Sequence, residues 1–200
     1  MKFILVLVFV VLLTACGTTS QKTAENTQSS ATTASRDKAK ASFDICESEA
    51  FLSLSISRQY FLSGKKRDAV LPYIGPSKFD QELASELFRR VDSGEIKHYA
   101  TFAAEKLYSC AMREGAQLAT PRAVAENCFA KVDIPFFLFL AQENHLGKTE
   151  AIARVEKQLK DREQFPSKLI ELVAEDMYSS PTSEQFQRTQ RKVFWNCMYL

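Results

Sequence analysis

The chain has 200 residues, a formal net charge of +2 and a sequence pI near 8.2, short of the value of about 9 that marks nucleic-acid-binding domains. Its basic spots, Lys65-Lys66-Arg67 and Arg89-Arg90, are short and read as solvated surface. No Gly-rich phosphate loop, strand ladder or repeat of fixed period occurs, which leaves an all-α domain as the reading.

The amino end sets the context. Lys2 precedes an unbroken apolar run from Phe3 to Leu13, followed at once by Leu13-Thr14-Ala15-Cys16-Gly17. A membrane span needs roughly 20 apolar residues, and here small residues stand where a span would continue. Residues 13–16 resemble the lipobox of bacterial lipoproteins. The resemblance implies a signal peptide over 1–15 and lipidation at Cys16, with fatty acyl chains such as palmitate anchoring the protein to a membrane. Two or more chains hold durably, because each buried CH₂ contributes about 0.8 kcal/mol. Gly17, where an aspartate often retains such proteins at the inner membrane, implies the periplasmic face of the cell outer membrane in a Gram-negative host. In another host it implies the extracytoplasmic face of the cell membrane.

Residues 17–41 contain no aromatic residue, Val, Ile or Leu, and cannot bury enough apolar surface to offset ordering entropy. With lipidated Cys16 they read as a disordered tether. A flexible chain of this length spans typically ~25–30 Å and ~80 Å when stretched.

From residue 42 the composition changes, and 42–200 reads as one helical domain. The first helix is expected from Ser42 or Asp44 to Ser63, with Asp44 and Glu47 as a variant capping box and Ser53, Ser55 and Ser57 permitting close packing. Gly64 ends it, and Tyr73 and Ile74 are expected to pin the following loop to the core. A second helix follows Ser77, with Phe79, Leu83, Leu87 and Val91 inward, and stops at Ser93-Gly94. A third runs from Glu95 to Glu114 with Gly115 as its cap. Thr120-Pro121 opens a fourth, which carries Val124, Cys128 and Val132 into a kink at Pro135. The apolar segment Ile134–Ala141 reads as a short buried helix, with a central strand as the alternative. Residues 149–162, a helix from about Ser167, and one from Ser183 to the end complete an irregular, orthogonal bundle of about seven helices.

Setting Cys16 aside leaves Cys46, Cys110, Cys128 and Cys197, an even number that reads as two disulfides in an exported domain. Three pairings are open. An antiparallel hairpin of the third and fourth helices favours Cys110–Cys128, leaving Cys46–Cys197 to fasten the ends; loop entropy puts these at about 3 and 5 kcal/mol. The spacings lack the short Cys-x₂₋₄-Cys steps of structural zinc sites, so no metal is expected.

No chemistry-bearing motif appears. His98 and His145 belong to no metal motif, there is no Gly-x-Ser-x-Gly elbow, and no cofactor or catalytic residue is assigned. Glu105, Glu114, Glu126, Asp133 and Glu143 are the carboxylates that a glycan hydrolase would draw on. The 15 Phe and 6 Tyr are the more useful signal: most are core, and those left exposed suit protein or glycan contacts. The binding candidates are Tyr73, Tyr99, His98 and His145. The expected function is a lipid-anchored interaction or accessory module of the envelope, whose partner is an envelope protein or cell-wall polymer and not nucleic acid. The alternatives are a cell-wall hydrolase with paired carboxylates, or a small-ligand carrier with Phe136–Leu140 as one wall of an apolar cavity of at least about 300 Å³.

Overall fold

A computed structural model describes residues 21–159 and 165–199, with side chains from residue 42 onward. The expected signal peptide and lipidation site at Cys16 lie outside the described residues. The chain divides into two units, residues 1–39 and 40–200, and the packing below is that of the second.

Among the described residues there are eight α-helices and no strand: α1 (Gln21–Leu62), α2 (Lys78–Asp92), α3 (Tyr99–Arg113), α4 (Arg122–Lys131), α5 (Asp133–Glu143), α6 (Lys148–Leu159), α7 (Ser167–Ser179) and α8 (Ser183–Tyr199), with 3₁₀ turns at Arg67–Ala69 and Leu71–Tyr73. None is long and apolar enough to cross a membrane. The all-α bundle with two disulfides is thus the observed architecture.

The largest departure is the start of α1. It begins at Gln21, so the backbone over 21–41 is helical where a coil was expected. No Gly or Pro interrupts 21–41, and a helix once nucleated extends through Ala, Lys and Gln at little cost. Asp44 therefore caps nothing; its carbonyl accepts from Ser48 Oγ.

The other boundaries follow local chemistry. Ser77 caps α2 by accepting from the amide of Asp80. Gly115 follows α3 at φ 72°, the left-handed conformation that closes a helix at least cost. Pro135 produces a break where a kink was expected. α4 ends at Lys131, and α5 restarts at Asp133, so the proline falls in a first turn where its missing N–H leaves no bond unmade. The apolar segment is helical, and Ile134, Leu138 and Ala141 are buried.

Two apolar clusters form the core. The larger joins α1 and α3–α8 around Leu54, Leu107, Phe129, Leu138, Ile170 and Phe194; the smaller gathers Ile56, Tyr60, Leu83, Leu87, Ile96 and Phe102. Ser53 and Ser57 are buried on α1, and Ser57 Oγ reaches the carbonyl of Tyr99 at 3.2 Å, which brings α1 and α3 close. Expected inward residues Phe79 and Val124 are instead exposed, and Tyr73 is half exposed while Ile74 packs on the smaller cluster. Arg90 is not plain surface: it is largely buried and meets Glu105 at 2.7 Å and Glu95 at 3.0 Å.

The disulfides are Cys46–Cys110 and Cys128–Cys197, which overturns the favoured pairing. α3 and α4 do pack together, but Cys110 joins α1 and Cys128 joins α8. Adjacent helices share one contact face each, and these cysteines sit on the faces turned to their other neighbours.

Candidate functional site

α1 presents Phe51, Leu54, Ser55, Arg58, Gln59 and Leu62 at three- and four-residue steps, which places them along one side of the helix. Phe136, Phe139 and Leu140 of α5, Phe186 and Gln190 of α8 and Tyr73 of the second 3₁₀ turn close around that stripe. The result is a cleft of about 530 Å³. Phe139 and Phe186 stack at 4.5 Å on one side. Phe51 backs edge-on against Phe129 and Phe194, which are themselves stacked at 4.1 Å. Leu62, Tyr73 and Leu140 are exposed at the rim.

Arg58 is the charged residue of the lining and is 4% exposed. Its Nε lies 3.2 Å from Asp133 Oδ1, and its guanidinium sits 4.6 Å from the centre of the Phe136 ring and 5.8 Å from that of Tyr99. The Tyr99 hydroxyl donates to Asp133 Oδ2. Burial pushes the Arg58 pKa down from its ordinary value, and the negative charge of Asp133 beside it opposes that shift. Two of its nitrogens, Nε and Nη2, are buried without a hydrogen bond, so the contact with Asp133 Oδ1 is one of charge.

The four binding candidates separate. Tyr73 is on the cleft rim, and Tyr99 is buried at Asp133. His98 caps α3, its Nδ1 accepting from the amide of Ala100 at 3.2 Å, and stacks on Tyr99. His145 is exposed in the turn after α5, at φ 58°. Neither histidine lines the cleft. Arg58 was not singled out from the sequence; the available signal was a charge one residue after Ser57 and four after Leu54, on the buried side of α1.

Two other depressions are simpler. A groove of about 570 Å³ holds Ile45, Leu52 and Phe79 beside Glu49 and Arg113, whose charges meet at 2.7 Å. A pocket of about 310 Å³ lies between Leu169, Leu172, Val193, Lys131 and Lys192. Four of the five carboxylates considered for hydrolysis are in ion pairs: Glu105 with Arg90 and Arg122, Glu114 with Arg113, Glu126 with Arg122, and Asp133 with Arg58. Among the described residues no group of three His, Cys, Asp or Glu side chains is placed to hold a metal. Compared with protein-family models, curated proteins and solved structures, the chain finds no match.

Proposed function

We propose that this protein is a non-enzymatic binding module of the cell envelope, anchored through lipid on Cys16, and that the cleft between α1, α5 and α8 receives its ligand. The observation that carries the reading is the cleft itself: about 530 Å³, within the ~300–1,000 Å³ of small-molecule sites and walled by aromatic side chains as such sites are. It meets the size set for an apolar-ligand carrier and uses Phe136, Phe139 and Leu140 as one wall.

The test is titration with a neutral environment-sensitive dye, N-phenyl-1-naphthylamine. Saturable binding at one dye per chain is expected, weakened at least about tenfold by Leu140→Trp, which fills the cleft from its exposed rim. Binding unchanged in that variant would place the site elsewhere. For the anchor, Cys16→Ala should move the protein from the membrane fraction to the soluble envelope fraction and abolish incorporation of labelled fatty acid.

A docking role toward an envelope protein draws on a separate observation, the exposed Ile45 and Phe79 in the open groove beside Arg113. Crosslinking in cells from Ile45, with one envelope protein recovered and lost in Phe79→Asp, would support it.

A further inference from the structure

Resting on the cleft as the ligand site, we infer that Arg58 selects the ligand's head group, and that the ligand is a small molecule with a carboxylate on an apolar body. The guanidinium is a planar fork of five donors. Asp133 Oδ1 lies 3.2 Å from its Nε as an ion pair, Phe136 covers one face, and neither Nε nor Nη2 donates a hydrogen bond. A buried donor in this state costs stability until something accepts from it, and the cleft is the space that Arg58 lines.

The other polar lining residues, Ser55, Gln59, Gln190 and Tyr73 at the rim, are neutral, whereas Phe51, Phe139 and Phe186 offer only hydrocarbon. A ligand therefore meets one deep cation and phenyl walls. A carboxylate matches the fork with two acceptor oxygens. Asp133 does not line the cleft; it approaches Arg58 from α5, and its second oxygen accepts from Tyr99. Of the pair, Arg58 is thus the member that an entering anion would reach. Arg58 is then a specificity-determining residue, and the pair with Asp133 keeps it charged and oriented while the cleft is empty.

The test uses the whole mature chain with Cys16→Ala, titrated calorimetrically with two matched pairs: decanoate against methyl decanoate, and N-acetylphenylalanine against its amide. At least one acid should bind about tenfold more tightly than its neutral counterpart, and which pair shows this identifies an aliphatic or an aromatic body. Arg58→Met/Asp133→Asn, which removes both charges and keeps an acceptor for Tyr99, should level acid and neutral forms, with the helical circular dichroism retained. Equal binding of acid and neutral forms that Leu140→Trp blocks would overturn the head-group assignment and leave the cleft reading standing. A preference that persists in the double variant would remove Arg58 from the role. No saturable binding of any of the four would overturn both.

Discussion

Arg58 and Asp133 form an ion pair at 3.2 Å with side chains only 4% and 2% exposed, between an aromatic cleft and the hydroxyl of Tyr99. Such a pair is held together by the cost of parting it. Neither charge has bulk water to return to, so each depends on the other.

Asp133→Asn alone should therefore cost about 3–5 kcal/mol, because it strands a buried guanidinium. Arg58→Met/Asp133→Asn should recover most of that loss. Urea unfolding of the two singles and the double closes the cycle. A double variant at least as destabilised as the sum of the singles would mean that the two residues act independently.

The bridges close consecutive loops with separations of 64 and 69 residues. Chain entropy assigns each about 4 kcal/mol, and replacing either pair by serine should lower stability by roughly 2–5 kcal/mol, nearly additively. Non-reducing peptide mapping should return Cys46 with Cys110 and Cys128 with Cys197; a Cys110–Cys128 peptide would contradict the packing of α1 on α3.

Phe194 is fully buried, stacked on Phe129 and edge-on to Phe51. Phe194→Ala should cost about 3–5 kcal/mol. Ending the chain after Arg191 removes Phe194, Cys197 and the Trp195 indole that donates to Glu47 at 2.6 Å, and should abolish cooperative thermal unfolding. A sharp transition in that truncation would show that α8 is not docked.

Glu95 closes the turn after α2. Its hydrogen bond from Ser93, then that from Arg90, with Arg89 adding charge, hold its pKa below the ordinary 4.5. A depressed carboxylate contributes stability above its unfolded pKa and loses it as pH falls through the folded value. The gap in Tm between the native chain and Glu95→Gln should thus be constant near neutrality and shrink below about pH 4.5. A gap independent of pH down to 3 would contradict the arrangement.

What could be read in advance was whatever is encoded within a few residues. Ser77 before α2, Gly115 after α3, Pro166 before α7 and Ser183 at the head of α8 mark ends through their own backbone preferences. The apolar segment at Ile134–Ala141 showed itself as helix by context, although Pro135 divides two helices and does not bend one. The start of α1 was hidden because residues 21–41 carry neither an apolar stripe nor a breaker. The cysteine partners and the cleft depend on the azimuth at which each helix faces its neighbours. Phe51, Phe139 and Phe186 each looked like core, and only the gap between three helices makes them a wall.

The order of the bridges has a consequence for biogenesis. Of the four cysteines within residues 40–200, first joins second and third joins fourth, so a chain emerging amino end first can seal its earlier ring before Cys128 appears. Oxidising each thiol with the next one to arrive gives the native pattern, and no shuffling by an isomerase is required. The domain can thereby be oxidised in the order in which it is synthesised, one half after the other.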